Sequence, residues 1–275
     1  MKVKNQESLT LNRQGALPQN KLSIFFLNAR SIRASDTFDK IKESVDCLGN
    51  VQILCLVETW LQEKNTNYFS IPGFQAIHHT RSNTRGGGIS IFLRNGINYI
   101  SCDRIGESIQ ILSIKIQFAM KYINLMVIYN PSAVSIMECT TLMEPILEKV
   151  GNENCLIAGD FNIDVSKNSF QSDQYVTFLS SKGYSVLNNK VTRPDSGTII
   201  DHVITNIFKG TMEINTVGND MSDHSIIICS MRCVNPDMCA QDDNRYYYRT
   251  DFGRLKEILE ELMNDKMIHD NTEKL

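Results

Sequence analysis

The apolar residues of this chain recur mainly in short runs and in alternating patterns, which are typical of β-strands. Between residues 112 and 118 every second residue is apolar, which is the period of a strand with one buried face. Similar apolar runs predict further strands at residues 22–27, 51–57, 87–93, 122–129, 154–158, 198–205, 212–217 and 225–231. The pattern therefore predicts a chain rich in strands.

Helical spacing of apolar residues occurs between some of these strands. Residues 38–48 and 143–150 each place their apolar side chains on one face of a helix, and residues 171–182 form a weaker candidate that ends before Gly183. Many strands with a few interspersed helices predict an α/β layered fold with mixed sheets.

The two ends of the chain differ from its centre in composition. Residues 1–20 are polar and unpatterned, so we expect a flexible N-terminal tail. Residues 235–275 begin with a linker-like sequence and continue into a helix with one apolar face. We therefore predict one main domain over residues 21–234, followed by a linker and a C-terminal helix.

Composition excludes several classes of protein. With 42% hydrophobic and 21% charged residues, the chain falls in the ordinary globular range. No apolar run is long enough to span a membrane and residues 1–15 lack the apolar core of a signal peptide, so we expect a soluble intracellular protein. Of the eight cysteines, Cys55, Cys155 and Cys229 lie in apolar runs, where a free cysteine packs as a small apolar residue. The sequence contains no CxxC motif, so we do not predict a zinc site.

Charge argues at first against a protein that coats nucleic acid, because the formal net charge is −3. The negative charge comes from the C-terminal segment: residues 237–275 hold ten acidic and six basic residues, which leaves the rest of the chain at +1. Residues 64–102 and 174–194 contain basic but no acidic residues. The main domain is therefore compatible with modest, salt-sensitive binding to DNA.

Polar residues follow several predicted strands at the point where each strand ends. A single carboxylate there is more often a solvated strand end than a ligand, but here several such residues occur together, in the order Asn28, Glu58, Tyr129–Asn130, Asp160 and Asn162, Asp201, and Ser222-Asp223-His224. Strand ends meet at one edge of a sheet, where loops form a cleft. His202 follows Asp201 directly, points to the opposite face, and is interpreted as structural.

The segments LNARSI, CLVETWL, GGGISIFLR, VIYNPS, LIAGDFNID, VTRPDSGTIIDHVI and MSDHSIII resemble the exonuclease–endonuclease–phosphatase superfamily. More narrowly, they are similar to the apurinic-type endonuclease domain of non-LTR retrotransposons of the jockey and chicken-repeat kind. The resemblance runs from about residue 21 to residue 232. It implies a four-layer α/β sandwich, in which two packed mixed β-sheets are flanked by helices.

The resemblance also implies a role for each strand-end residue. Glu58 would be the principal Mg²⁺ ligand, helped by Asn28 and Asp223, and Mn²⁺ would be able to substitute. In catalysis, Asp160 would activate or orient water, Asn162 and Tyr129 would bind the scissile phosphate, and Asp201 would orient His224 to stabilise the transition state. The residue types fit, because a hard cation prefers oxygen ligands and phosphodiester cleavage needs neutralised charge and a proton donor.

DNA contacts are predicted around this site. The resemblance places Thr192 of the TRP segment near the DNA backbone. Further candidates are Arg193, Ser222, Arg30, Arg33, Arg81 and Arg85. We expect His78, His79, Arg81 and Arg85 to lie in a loop beside the cleft, although an ordinary solvated loop is an equal alternative.

We therefore expect a Mg²⁺-dependent endonuclease that nicks one strand of duplex DNA and leaves a 3′-hydroxyl. In the retrotransposon family that hydroxyl primes reverse transcription, so the implied partners are double-stranded DNA and the reverse transcriptase module of the same element, with no membrane. The family implies a nuclear location, with the cytoplasm as the alternative. Two rival functions stay open: a phosphatase of the same fold acting on a phosphorylated lipid or small molecule, and a domesticated inactive module for DNA or protein binding.

Overall fold

Strands and helices alternate along the chain in the computed structural model, which describes residues 21–33, 36–81, 86–118 and 121–232. The strands are β1 (Lys21–Asn28), β2 (Ile53–Val57), β3 (Phe74–His79), β4 (Ile89–Arg94), β5 (Tyr99–Ile105), β6 (Gln110–Phe118), β7 (Lys121–Tyr129), β8 (Cys155–Asp160), β9 (Ser185–Val186), β10 (Asp201–Thr205), β11 (Met212–Val217) and β12 (Ile226–Arg232). The helices are α1 (Thr37–Leu48), α2 (Ile136–Val150) and α3 (Phe170–Ser181), with short 3₁₀ helices at Glu63–Tyr68 and Lys209–Thr211.

The strands form two sheets of six strands each. The first sheet has the order β11-β12-β1-β2-β4-β3, and the second has the order β5-β6-β7-β8-β10-β9. In each sheet one central pair is parallel, β1 with β2 and β7 with β8, while the other neighbours are antiparallel. Both sheets are therefore mixed, as the sequence pattern predicted.

Three apolar cores separate the layers. Alternate residues of the first sheet, such as Phe26 and Cys55, pack against residues of the second sheet, such as Leu112 and Leu125. On the outer face of the first sheet lies α1, and on the outer face of the second lie α2 and α3. Alternation of side chains between the two faces of a strand explains how each sheet supplies two cores. This order confirms the predicted four-layer sandwich.

Local signals fix the ends of the helices. Helix α2 begins at Ser135, whose hydroxyl accepts a hydrogen bond from the Glu138 N–H, while the Glu138 side chain accepts one from the Ser135 N–H. This reciprocal capping box satisfies two backbone donors that a helix start leaves unpaired. Helix α1 ends at Gly49, whose φ of 65° is a left-handed conformation that glycine adopts at little cost.

The prediction of a loop over His78 and His79 was wrong, because both residues lie in β3, an edge strand of the first sheet. The predicted tail at 1–20, the linker and helix at 235–275, and Arg85 lie outside the described residues. In the described part of the chain, no helix is long and apolar enough to cross a membrane.

Candidate active site

The sheet topology brings the predicted site residues to one edge of the sandwich. Parallel pairing of β1 with β2 puts Asn28 beside Val57, so Glu58, the next residue, follows at the same edge. In the second sheet, Tyr129 pairs with Asp160, and Asp160 pairs with Asp201. The two sheets meet at this edge, because the Asn28 Nδ2 of the first sheet lies 2.8 Å from the Asp160 Oδ2 of the second.

Asn28 links the two carboxylates of the site. Its Nδ2 donates to Glu58 Oε1 at 3.0 Å and to Asp160 Oδ2 at 2.8 Å, and its Oδ1 accepts from the Arg30 N–H at 3.1 Å. The side chain is fully buried. In this arrangement Asn28 presents its nitrogen to the carboxylates, so it acts as a positioning donor, whereas the sequence analysis predicted an oxygen ligand for a metal ion.

Glu58 has a backbone conformation that is uncommon for a residue with a side chain. Its φ is 51°, in the left-handed region, and Trp60 has a similar φ of 56°. Trp60 Nε1 donates to Glu58 Oε2 at 3.2 Å, a contact that the sequence analysis missed although Trp60 lies in the ETWL segment. Strained backbone of this kind persists where surrounding contacts hold it, and it clusters at functional sites.

The segment after β8 places Asp160 and Asn162. Asn162 has a φ of 52°, and its backbone N–H donates to Asp160 Oδ1 at 3.0 Å. The Asn162 Nδ2 donates to the carbonyl oxygen of Asn130 at 2.7 Å. Burial of Asp160, together with the nearby charge of Asp201, raises the pKa of the Asp160 carboxyl above its ordinary value.

Asp201 and His224 form a buried pair. The His224 Nδ1 lies 2.8 Å from Asp201 Oδ2, and both side chains are almost completely inaccessible to solvent. Burial lowers the pKa of His224, but the hydrogen bond to Asp201 and the charges of Asp201, Asp160 and Asp223 outweigh it, so the pKa is raised overall. The imidazole therefore favours its protonated form, which donates hydrogen bonds.

Tyr129 lies beside these groups at the end of β7. Burial raises the pKa of its phenol, and the charges of Glu58 and Asp160 raise it further. Tyr129 therefore stays protonated and available as a donor. The Arg81 guanidinium lies over the Tyr129 ring, 5.6 Å from its centroid.

Asp223 pairs with two arginines in this structure. Its Oδ2 lies 2.7 Å from Arg30 Nη1 and 2.9 Å from Arg193 Nη2. Arg30 and Arg193 are thereby held next to His224, whose Nε2 is 3.9 Å from Asp223 Oδ1. Two predicted DNA contacts and one predicted metal ligand thus form a single ion-pair cluster.

Thr192, which was predicted to lie near the DNA backbone, is completely buried in this structure. Its hydroxyl oxygen accepts hydrogen bonds from the backbone N–H groups of Ile200 and Asp201, each at 3.0 Å. Thr192 therefore positions the start of β10. Ser222 has a similar role, since its hydroxyl donates to the carbonyl oxygen of Asn28 at 2.7 Å.

The oxygen-rich donor set fits a hard divalent cation. Asp160, Asp201 and His224 offer ligand atoms within 4.8 Å of one another, and Glu58 adjoins this group through Asn28. Among the described residues, Asp201 Oδ1, Asp223 Oδ1 and Asn130 Oδ1 are buried without a hydrogen-bond partner. His224 is paired with Asp201, so we expect ligands from the carboxylates, because hard cations prefer oxygen.

Comparison with solved structures identifies the fold. The endonuclease domain of TRAS1, a telomere-specific non-LTR retrotransposon, matches with a TM-score of 0.61 at 14% identity, covering 77% of this chain and 98% of that one. TDP2 of D. rerio in complex with a single-strand DNA product matches with a TM-score of 0.56 at 15% identity, covering 76% and 98%. The human Nocturnin catalytic domain with bound sulfate matches with a TM-score of 0.59 at 12% identity, covering 78% and 94%.

A model of the family described as endonuclease-reverse transcriptase matches residues 123–228. This stretch contains Tyr129, Asp160, Asp201 and His224, while Asn28 and Glu58 precede it. No curated protein matches the sequence significantly. The chain has the exonuclease–endonuclease–phosphatase fold, and its neighbours in fold include nucleases.

Proposed function

We propose that this chain is a Mg²⁺-dependent endonuclease that nicks one strand of duplex DNA by hydrolysing a phosphodiester bond. The convergence of Glu58 and Asp160 on one amide nitrogen, beside the Asp201–His224 pair, carries the proposal. Phosphodiester hydrolysis needs charge neutralisation, an activated water and donors for the developing negative charge. This edge of the sandwich offers residues for each task.

Glu58, with carboxylate oxygens of its neighbours, would hold the cation. When bound there, Mg²⁺, or Mn²⁺ in its place, would neutralise charge on the phosphate oxygens. The chain contributes the position of the ligand, because Asn28 and Trp60 each donate a hydrogen bond to a different oxygen of the Glu58 carboxylate. Side chains fixed in this way lose little freedom when a ligand binds.

Three groups of this chain would handle the protons and the charge. Asp160, whose pKa burial raises, would take a proton from the attacking water, whose oxygen forms the new bond to phosphorus. The bond from phosphorus to the 3′-oxygen then breaks, and that oxygen takes up a proton from solvent, to which Asp160 returns the proton that it accepted. Protonated His224, held by Asp201, would donate to the phosphate as negative charge develops.

Tyr129 and Asn162 would complete the phosphate site. The phenol of Tyr129 stays protonated, and the Asn162 side chain is held by the Asn130 carbonyl. Both donate hydrogen bonds without adding negative charge near the phosphate. The products are a 3′-hydroxyl and a 5′-phosphate.

The substrate proposal draws on the comparisons. The TRAS1 match is an endonuclease domain of a non-LTR retrotransposon, and the TDP2 match was solved with single-strand DNA. We propose duplex DNA as substrate here, with the 3′-hydroxyl priming reverse transcription by the reverse transcriptase module of a jockey-like element. A nuclear location follows from that role.

The test measures how much supercoiled plasmid the full chain converts to open circles at increasing concentrations of Mg²⁺ or Mn²⁺, and in the presence of a chelator. The proposal predicts metal-dependent nicking whose 3′ ends a DNA polymerase extends without prior phosphatase treatment. Glu58→Gln should abolish nicking, whereas Glu43→Gln, at an exposed position of α1, should leave it intact.

The rival functions give different results in the same assay. Release of inorganic phosphate from a phosphoinositide or a phosphorylated small molecule, with no nicking, would favour the phosphatase. Absence of both activities, with DNA or protein binding retained, would favour the inactive module.

A further inference from the structure

A second cleft opens beside the site, and of the candidate DNA contacts named above His79 and Arg81 line it. It has a volume of about 830 Å³, and its walls come from residues 62–64, 79–81, 106–108 and 110. We name it the flanking cleft. Its volume falls in the range of roughly 300–1,000 Å³ that is usual for pockets that bind small molecules.

The flanking cleft shares structural elements with the phosphate site. Arg81 lines the cleft and also lies over the Tyr129 ring, while Gln110, which lines it too, pairs with Tyr129 across β6 and β7. Gln110 Oε1 also accepts from the Gly88 N–H at 2.7 Å, and the Gly88 carbonyl accepts from the N–H of Thr59, next to Glu58. The cleft therefore adjoins the proposed phosphate site through Arg81 and Gln110.

Glycine keeps this wall closely packed. Gly87 has a φ of 70°, and a Cβ at this position would lie 2.6 Å from both Arg81 Nε and Gln110 Oε1. Such a distance is shorter than any van der Waals contact allows, so a larger residue would displace both side chains. Glycine at position 87 therefore leaves the space that the Arg81 and Gln110 side chains occupy.

The lining chemistry suits a nucleobase better than a cluster of phosphates. Lys64 and Arg81 are balanced by Glu63 and Glu107, and burial lowers the pKa of His79, so the cleft has no net charge when His79 is neutral. Neutral polar side chains in the lining are those of Gln62, Thr80 and Ser108. The side chain of Gln110 is completely buried and is hydrogen-bonded to the Gly88 N–H and the His79 carbonyl oxygen, so it supports the wall. Among the described residues, Arg81 Nε and His79 Nδ1 are buried without a hydrogen-bond partner.

We infer that the flanking cleft binds the base of a nucleotide next to the scissile phosphate, with Arg81 at the boundary between base and phosphate, and so sets sequence preference at one flanking position. This inference rests on the proposed function. Base edges carry the donors and acceptors that amide, hydroxyl and imidazole groups recognise, and each well-made bidentate contact discriminates by about fivefold or more.

Two measurements test the inference separately from the nuclease activity. In the first, ¹⁵N NMR follows the full chain, without divalent metal, during titration with each of the four deoxynucleoside monophosphates, with deoxyribose 5-phosphate as the control that lacks a base. Shifts of the Gln62 and Gln110 side-chain amides and of the Ser108 N–H that differ among bases support the inference. Equal shifts with the control, or no shifts, overturn it.

In the second measurement, a duplex library with randomised positions is nicked and the nick positions are sequenced. Thr80→Val removes one hydroxyl from the cleft, and Thr177→Val, on the exposed face of α3, is the matched control. We expect Thr80→Val to reduce the preference at one flanking position by about fivefold. Unchanged preference in an active variant overturns the inference, whereas base-selective NMR shifts in a chain that nicks nothing would overturn only the proposed function.

Discussion

Two buried histidines, His202 and His224, show how different the surroundings of a buried imidazole can be. His224 lies at the carboxylate edge, where Asp201 is 2.8 Å away. His202 follows Asp201 in the same strand but faces the aromatic layer beneath α3, where it stacks on Phe161 and lies 3.1 Å from the Tyr175 hydroxyl. Both rings are buried, so the carboxylate partner at the sheet edge is what distinguishes His224 from His202.

The electrostatic consequence differs in sign between the two residues. Burial lowers the pKa of His202 to about 4, which keeps the ring neutral within the core. The pKa of His224 is raised, since its carboxylate neighbours outweigh burial. The His202 ring therefore contributes to packing, whereas the raised pKa of His224 favours the form that can donate a proton or a hydrogen bond.

The largest expected effect comes from substituting each of the two histidines by glutamine, one at a time. His224→Gln should lower the nicking rate by about 10²- to 10⁴-fold, because a donor to the transition state is lost. His202→Gln should leave the rate of the folded protein close to that of the wild type but lower its thermal stability, because packing under β10 is disturbed. Single-turnover cleavage and thermal unfolding of both variants measure the two effects. A His202→Gln variant that is folded but inactive would contradict this division of roles.

A second prediction concerns pH and stability. Because the native pKa of His202 is lower than its ordinary value of 6.5, the unfolded chain binds more protons between pH 6.5 and about 4, and stability falls as pH falls through this window. The loss amounts to about 3 kcal/mol. His224 acts in the opposite sense: its stabilising contribution is complete below pH 6.5 and is lost as pH rises through its raised pKa.

Urea unfolding at several pH values, for the wild type, His202→Phe and His224→Gln, measures these contributions. The acid-side loss should shrink in His202→Phe, and the alkaline-side loss should shrink in His224→Gln. Identical pH profiles in all three proteins would exclude the opposite titration of the two rings.

Sequence periodicity predicts most of the strands and the polar residues at their ends, but it does not predict all of the strands. The runs that form β1, β2 and β8 are continuously apolar, and this property predicted both the strands and the polar residues at their ends. Three edge strands were missed: β3 and β5 lack regular alternation of buried and exposed residues, and β9 has only two residues. The fourth edge strand, β11, was predicted because its exposed residues alternate regularly. Alternation along β10 was sufficient to assign Asp201 and His202 to opposite faces.

Contacts between distant segments could not be read from the sequence. The pairing of Asp223 with Arg30 and Arg193, and the bond from Trp60 to Glu58, depend on how loops fold over the sheet edge. Thr192 illustrates the same limit. Its motif suggested a position near DNA, while the fold buries its hydroxyl beneath Asp201.

The third prediction uses Thr192 to disturb the anchor that holds Asp201 and His202 in register. Thr192→Val keeps the shape of the side chain but leaves the Ile200 and Asp201 N–H groups without their acceptor. We expect a loss of about 1–3 kcal/mol in the free energy of unfolding, with unchanged affinity for DNA. Denaturant unfolding and fluorescence anisotropy with a labelled duplex check both parts. Weaker DNA binding without a loss of stability would restore Thr192 as a DNA contact.

The smallest effect is expected at the arginines beside His224. Arg30→Gln or Arg193→Gln should each reduce the slope of log affinity against log salt concentration by about one, because one phosphate contact is lost. Lys42→Gln on α1, remote from the sheet edge, is the control and should leave the slope unchanged. If neither arginine changes the slope, their role is confined to the ion pair with Asp223.

The central claim, that this edge of the sandwich is a metal-dependent phosphodiesterase site, is tested most directly by single-turnover cleavage of an end-labelled duplex over a range of Mg²⁺ concentrations. We predict saturable Mg²⁺-dependent cleavage by the wild type and by Glu43→Gln, and none by folded Glu58→Gln. Equal cleavage by Glu58→Gln and the wild type, or cleavage that persists in excess chelator, would contradict the claim.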